Sequence, residues 1–242
     1  MFVLGIETAT PVAGVAVAYR DRVLSARIIN NKKTHSGHLV PMIRSVTEEA
    51  GISPGDLNGI AVSSGPGSFT GLRIGMTTAK TLAQALGIPI VGVSTLDALA
   101  YPLTGLANLI CPILNARKNE VYTAVYDGSG GALKKLTGSM AVKPDELAAI
   151  LSGWEKRKIT FLGDGVEEYR ESIVKLLGER AEFAPGMMFL PRGSSVAGLG
   201  FIKLAAGEGL DPVSLLPDYV RLSEAEVKWL QKQKTTGSRC SG

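Results

Sequence analysis

The sequence is short of cysteine, histidine and aromatic residues, and each shortage argues against a class of function. Among its 242 residues there are two cysteines, two histidines and 6% aromatic residues. Cys111 lies in an apolar run and Cys240 is among the last three residues, so we expect no structural disulfide. This cysteine usage suits a reducing compartment, and we predict a cytoplasmic protein.

Long apolar runs and dense basic blocks are missing as well. No apolar run approaches the roughly 20 residues that a membrane-spanning helix needs, so we expect no contact with a membrane. Met1 leads directly into a β-like run without a basic leader, so we expect no signal peptide. The net charge is only +4. We expect the basic stretches at 32–33 and 228–239 to be solvated surface, with nucleic-acid contact as the less favoured alternative.

The order of the predicted elements is that of an α/β protein. Hydrophobic residues make up 45% of the chain and charged residues 20%, which is an ordinary globular composition. The first half reads β-β-β-α-β-α-β-α, with helices predicted at 35–50 and 72–86. The second half starts again with strands predicted at 109–114, 120–126 and 132–137. It then alternates helices and strands up to a polar helix predicted at 224–233.

The two halves open with hairpins of similar length, which indicates an internal duplication. The hairpins at 6–21 and 114–127 are close in length. We therefore predict an N-terminal α/β lobe at 1–105, a C-terminal α/β lobe at 106–225 and a polar tail at 226–242. This order matches the duplicated, ribonuclease H-like fold of actin, sugar kinases and Hsp70, whose active members hold a nucleotide between the lobes.

A glycine-rich segment between a buried strand and a helix is the candidate for binding an anion. Such a segment, here 65–71, can present backbone N–H groups to phosphate. It has no lysine of the phosphate-loop type, and the turn after Glu7 contains Pro11 and Val12 where glycines are expected. The alternative is a strand-end hydrogen bond and a tight turn. We expect no cofactor on this chain, and the weak cofactor-binding set is Glu7, Gly65, Gly67, Ser68, Thr70 and Arg73.

The residues that metal or nucleophilic catalysis requires are not assembled in the sequence. His35 and His38 are the only histidines, and their spacing is one residue short of a His-x-x-x-His pair. No nearby Asp, Glu or Cys completes a site. Ser64 is not part of a Gly-x-Ser-x-Gly elbow. We therefore assign no metal ligand and no catalytic residue.

The helix predicted at 72–86 has more apolar surface than one sheet requires. Its polar residues form a narrow stripe, and small residues recur every four positions, so another helix could approach closely. The alternative is that the preceding helix, at 39–50, covers this ridge within the same chain. We predict an interface with a related subunit or a second copy at Gly71, Gly75, Met76, Ala79 and Ala83.

Short motifs spread over most of the chain carry a closer resemblance. They are Ile6-Glu7-Thr8-Ala9-Thr10, His35-Ser36 with Leu39-Val40-Pro41, Gly65-Pro66-Gly67-Ser68-Phe69-Thr70-Gly71-Leu72-Arg73-Ile74-Gly75, Gly92-Val93-Ser94-Thr95-Leu96, Asn115-Ala116-Arg117 with Glu120-Val121-Tyr122, and Tyr219-Val220-Arg221. Together they resemble the TsaB (YeaZ) family, the bacterial partners of TsaD in making threonylcarbamoyladenosine on tRNA.

The resemblance implies a non-catalytic relative of TsaD that dimerises with it through helices of the N-terminal lobe and joins a larger complex with the ATPase TsaE. ATP and metal would be bound by the partner subunits, tRNA would be met through the complex, and the chain alone could form a homodimer. The older label, glycoprotease-like, implies instead a stand-alone metallopeptidase, and a nucleotide-using transferase is the other alternative. We favour a scaffold or activator without enzyme activity of its own.

Overall fold

Two β-sheets organise the chain, one in each half. The computed structural model describes residues 1–20, 22–30, 35–154 and 156–221, without the side chains of residues 35 and 36. The first half contains β1 (Phe2–Glu7), β2 (Ala13–Tyr19), β3 (Arg22–Ile29), α1 (His35–Glu49), β4 (Leu57–Gly65), α2 (Phe69–Leu86), β5 (Ile90–Ser94) and α3 (Thr95–Ala100). The second half contains β6 (Leu109–Asn115), β7 (Val121–Thr123), β8 (Tyr126–Asp127), β9 (Lys134–Lys135), β10 (Met140–Val142), α4 (Pro144–Leu151), β11 (Ile159–Leu162), α5 (Gly165–Leu177), β12 (Ala181–Phe183) and α6 (Gly193–Ala205). The predicted helix at 224–233, the tail at 226–242 and Cys240 lie outside the described residues.

The two sheets share one strand order and one pattern of strand directions. The first sheet runs β3-β2-β1-β4-β5, with the first two pairs antiparallel and the last two parallel. The second runs β10-β7-β6-β11-β12 with the same sequence of directions, and β8 and β9 lie off this path. This repetition confirms the predicted duplicated two-lobed α/β fold.

Helices cover both faces of each sheet, which accounts for the nearly complete burial of the central strands. On the first sheet, α1 and α2 pack on one face and α6 packs on the other, where Val196 meets Val3 and Ala61. On the second sheet, α4 and α5 cover one face. The other face receives α3, whose Leu96 joins a cluster with Tyr126.

The packing of α6 differs from its predicted place. Its residues fall within the segment 106–225 that the sequence assigned to the C-terminal lobe, yet α6 lies on β1, β2 and β4 of the first sheet. The reason is that the second sheet already has α3, α4 and α5 on its faces, whereas the apolar residues Val3, Ala61 and Val91 of the first sheet need a cover. The chain therefore returns to the first lobe after β12.

Two predicted strands of the second half are corrected. The strand predicted at 120–126 is divided into β7 and β8, because Val125 bonds instead to Leu136 and to the Thr137 hydroxyl. The strand predicted at 132–137 shrinks to β9. The place that β3 holds in the first sheet is taken in the second by β10, which was not predicted.

The ends of α2 are set by local chemistry. The helix begins at Phe69, earlier than the predicted Leu72, because the Ser68 hydroxyl accepts a hydrogen bond from the Gly71 N–H at 3.3 Å. It ends as predicted at Gly87, which adopts φ +65°. None of the helices in the described ranges is long and apolar enough to span a membrane.

Candidate functional site

A cleft of about 700 Å³ lies between the lobes, where the ends of equivalent strands face each other. The N-terminal lobe contributes the turn after β1 and the loop before α2, and the C-terminal lobe contributes the turn after β6 and Asp164. Residues 218–221 complete the wall. The lining residues are Ala9, Thr10, Pro11, Pro66, Gly67, Ser68, Phe69, Thr70, Leu114, Asn115, Ala116, Arg117, Lys118, Tyr122, Asp164, Asp218, Tyr219, Val220 and Arg221.

Glu7 ends β1 but does not line this cleft. Its side chain is fully buried, and its Oε1 accepts a hydrogen bond from the Ala9 N–H at 2.6 Å. Its Oε2 has no hydrogen-bond partner among the described residues. Burial raises the pKa of Glu7 from 4.5 to about 7, and the Ala9 N–H opposes this rise. The carboxyl group is therefore a buried acid rather than an exposed ligand for a cation.

The β1–β2 turn and the β4–α2 loop are pressed against each other. The Ser68 N–H donates to the Ala9 backbone oxygen at 2.7 Å, and the Thr8 hydroxyl donates to the Gly71 backbone oxygen at 2.8 Å. A Cβ at Gly67 would lie 2.3 Å from the Ala9 oxygen, so only glycine permits this approach. The two loops thus satisfy part of each other's hydrogen bonding.

The structure divides the six residues predicted as a weak cofactor-binding set. Gly67, Ser68 and Thr70 line the cleft, whereas Glu7, Gly65 and Arg73 do not. Gly65 is buried beneath the strap at residues 210–221, where Asp218 donates its N–H to the Ser64 oxygen at 2.7 Å. The Arg73 guanidinium lies 3.9 Å from the centroid of the Phe69 ring. It is directed to that ring and to the Tyr219 hydroxyl.

The predicted ridge of small residues is not on the surface. All five residues are buried within the chain itself: Gly71, Gly75, Met76, Ala79 and Ala83. A Cβ at Gly71 would lie 2.1 Å from the Thr8 backbone oxygen, because β1 ends beneath the first turn of α2. Met76, Ala79 and Ala83 share a core cluster with residues of α1 and the sheet. The placement of these five residues on an exposed face is therefore wrong, and the alternative of cover within the chain describes them better.

The free side of α1 and α2 is a different surface, which we call the outer helix face. On α1 it exposes Val40 and Pro41, and Val40 is 60% exposed. On α2 it exposes Thr77 and Thr81. Ile74 of α2 is half-buried and packs against the core cluster that includes residues of α1. The sequence signal for this face was available, since Val40 and Pro41 fall out of register with the core positions Leu39, Ile43 and Val46.

The turn between β6 and β7 has an unusual backbone. Arg117, Lys118 and Asn119 adopt φ values of +61°, +57° and +61° in succession, although none of them is glycine. The Asn115 side chain accepts from the Arg117 N–H at 2.8 Å, and its amide donates to Glu168. Its own N–H donates to Asp164 at 3.0 Å, and burial raises the pKa of Asp164. No glycine marks this turn in the sequence, and Lys118 was not among the predicted site residues.

The strap at residues 210–221 ties the lobes together, a role that the motif Tyr219-Val220-Arg221 did not predict. Leu210 pairs with Ile90 at the edge of the first sheet, and Lys80 donates to the backbone oxygens of Val213 and Leu215 at 3.0 Å. Tyr219 stacks on Phe69 with ring centroids 5.2 Å apart. Arg221 then reaches the second lobe, where it pairs with Glu120 at 2.9 Å and donates to the Ala116 oxygen.

Metal-ligating residues are dispersed in the part of the chain that the structure describes. No three His, Cys, Asp or Glu side chains come together there in a group that could hold a metal ion. Cys111 is buried in the core of the second lobe beside the Thr123 hydroxyl, and burial raises the pKa of its thiol to about 12. The side chain of His35 lies outside the described residues.

Comparisons with known proteins agree with this architecture. The family model described as "TsaD: tRNA N6-adenosine threonylcarbamoyltransferase" matches residues 22–229. The chain is 38% identical over 240 residues to the tRNA threonylcarbamoyladenosine biosynthesis protein TsaB of Bacillus subtilis, covering 97% of this chain and 100% of that protein.

Solved structures agree as well. YeaZ from Pseudomonas aeruginosa superposes with a TM-score of 0.77 at 28% identity, covering 90% of this chain and 99% of that one. The ROK hexokinase of Thermus thermophilus superposes with a TM-score of 0.51 at 13% identity over 86% of this chain and 100% of that one, which shows the shared fold alone. The chain therefore belongs to the TsaB (YeaZ) family of tRNA threonylcarbamoyladenosine biosynthesis proteins.

Proposed function

We propose that this chain is a non-catalytic subunit that binds and positions a TsaD relative, which transfers the threonylcarbamoyl group to adenosine 37 of tRNA. The observation that carries the proposal is the closure of the β1–β2 turn on the β4–α2 loop. Ser68 donates its N–H to Ala9, and Gly67 packs on the same oxygen. Phosphate recognition by such loops depends on N–H groups that point outward.

Glu7 supports the same proposal. A carboxylate that holds a nucleotide-bound cation through its oxygens must reach the cleft in its charged form. Glu7 is fully buried, bonds to the N–H of Ala9, and has a pKa near neutrality because of burial. Ionising it inside the protein costs free energy that a ligand site would have to offset. We therefore place ATP and metal on the partner subunits, and not on this chain.

The outer helix face is the surface we assign to the TsaD relative. Val40 is a large apolar side chain left 60% exposed on a helix whose other side is already buried against the sheet. On α2, Thr77 and Thr81 are exposed and uncharged, so a partner can cover this part of the face without desolvating an ion. Two helices of this length can supply the roughly 800 Å² per partner of a standard interface.

The rest of the assembly follows from this assignment. Without its partner, the chain would use the same face to form a homodimer. The ATPase TsaE joins the larger complex, tRNA is met through that complex, and the assembly works in the cytoplasm. Among the described residues, no observation favours a stand-alone metallopeptidase or a stand-alone nucleotide-using transferase.

Reconstitution tests the proposal. The purified chain, its TsaD relative and the TsaE ATPase are combined with unmodified tRNA, ATP and a preformed activated threonylcarbamoyl donor, and the modified nucleoside is quantified. We expect product with all the proteins and none when this chain or the TsaD relative is left out. Calorimetry of the chain alone should detect no ATP binding in the micromolar range. Product formed by this chain without TsaD, or micromolar ATP affinity, contradicts the proposal.

A further inference from the structure

The β6–β7 turn places two basic side chains in a conformation that disfavours them. Arg117 and Lys118 both have φ near +60°, in the left-handed region where non-glycine residues cost roughly 1 kcal/mol or more each. Glycine would adopt this turn freely. Both side chains are exposed and line the cleft, and neither forms an ion pair with another described residue. The left-handed turn therefore places two positively charged side chains at the mouth of the cleft, where a ligand can reach them.

The facing wall carries an aromatic pair. Phe69 and Tyr219 form a stacked pair that lines the cleft, with Arg73 over the Phe69 ring. Two carboxyl groups also line the cleft. Asp164 accepts a hydrogen bond from the N–H of Asn115, and Asp218 belongs to the strap. The third basic residue of the lining, Arg221, is already paired with Glu120.

We propose that this cleft binds a single-stranded loop of the substrate RNA, with its phosphates on Arg117 and Lys118 and a base against the Phe69–Tyr219 pair. Cations beside stacked aromatic rings are the combination by which proteins hold unpaired nucleotides. The inference rests on the proposed function, since the RNA reaches this chain only within the complex. It adds a direct RNA contact on the subunit that does not perform the transfer.

The test uses paired glycine substitutions in the assembled complex with the TsaD relative. Lys118→Gly removes a cation from the cleft, whereas Asn119→Gly relaxes the same turn at the neighbouring position with no change in charge. Binding of a fluorescent anticodon stem-loop RNA is measured by anisotropy at several salt concentrations. We expect Lys118→Gly to weaken binding about five- to tenfold at low salt and to lower the salt slope by about 1. Asn119→Gly should bind as the unaltered complex does.

Melting temperature separates this role from a structural one. Because glycine relieves the left-handed strain, Lys118→Gly should melt at the same temperature as the unaltered chain or about 1–2 °C higher. RNA binding is then weakened without any loss of stability. A Lys118→Gly complex that binds RNA like the Asn119→Gly complex, with the same salt slope, overturns the proposal.

The aromatic half of the site has its own pair of variants. Tyr219→Leu should weaken RNA binding about tenfold, because base stacking on an aromatic ring is lost, whereas Tyr219→Phe should retain it. Equal binding by both variants overturns the base contact. Replacing the RNA by AMP distinguishes a strand from a free nucleotide, and saturable AMP binding that depends on Lys118 overturns the assignment to RNA. Co-elution with the TsaD relative is checked first for every variant, so loss of the complex, which bears on the proposed function, is seen separately.

Discussion

Equivalent strands in the two lobes are followed by turns with opposite characters. After β1, residues 8–10 are buried and held against the β4–α2 loop. After β6, residues 117–119 are exposed and left-handed, and two of them, Arg117 and Lys118, are basic. The strand ends differ in the same way, since Glu7 is fully buried whereas Asn115 is exposed and bonded to Asp164 and Glu168.

The difference shows where a duplicated fold can change its function. The sheets repeat strand for strand because their burial pattern and pairing are common to both lobes. The turns carry no such constraint from the core. One has been closed by packing against its neighbour, and the other has been opened toward the cleft.

The largest effect should come from adding a side chain at Gly71, where α2 contacts the β1–β2 turn. In Gly71→Ala the new Cβ would lie 2.1 Å from the Thr8 backbone oxygen. We expect a loss of about 3 kcal/mol or more in the free energy of unfolding, because backbone rather than a flexible side chain must move. Urea denaturation measures it. Gly138→Ala is the control, since nothing lies within 4 Å of its added Cβ. Equal stability of the two variants would mean that the turn is not closed.

The next largest effect should be on the pH dependence of stability, which we expect the buried carboxyl group of Glu7 to control. Because the folded pKa of Glu7 is raised from 4.5 to about 7, the folded state binds more protons than the unfolded state in this range, and stability falls as the pH rises from about 4.5 to 7. Glu7→Gln removes this loss, so the variant should gain about 3 kcal/mol over the unaltered chain at pH 8 and almost nothing at pH 4.5. Urea midpoints across this range measure it. We also expect full activity in the reconstituted complex, and an inactive complex would show that the carboxylate has a chemical role.

The third prediction compares the helix faces of the two lobes, because we assign only the outer helix face to the TsaD relative. Val40→Glu should weaken the complex with the TsaD relative about tenfold or more, because a charge would be buried in the outer helix face. Val174→Glu is the matched control on α5 of the second lobe, where Val174 is 46% exposed. Titration calorimetry gives both affinities. If the two variants bind alike, the interface lies elsewhere.

The smallest effect tests how the strap joins the lobes. Arg221→Ala removes the ion pair with Glu120 and the bond to the Ala116 oxygen, both partly shielded from solvent, and should cost about 1 kcal/mol of stability. Lys158→Ala breaks the more exposed pair with Glu182 and should cost less. Urea denaturation at low and high salt compares them. A larger loss in Lys158→Ala would contradict this account of the strap.

Much of the candidate site depended on packing that the sequence could not reveal. Its loop residues Gly67, Ser68 and Thr70 were identifiable because a glycine-rich turn between strand and helix is a local pattern. Tyr219 was noticed only as part of a motif, and its stacking on Phe69 joins residues far apart in the chain. Nothing in the sequence indicates the left-handed backbone at Arg117 and Lys118, since arginine and lysine normally avoid that conformation.

By itself the sequence determined the fold class, the order of elements, the duplication and the family, because apolar periodicity, turn residues and contiguous motifs are local properties of the chain. It also determined that Gly71, Gly75, Ala79 and Ala83 share one side of α2. Only the tertiary structure decided that this side faces Thr8 and the core, that α6 returns to the first sheet, and that a basic turn faces an aromatic pair. Helical periodicity defines a face, but what covers that face depends on where distant segments end.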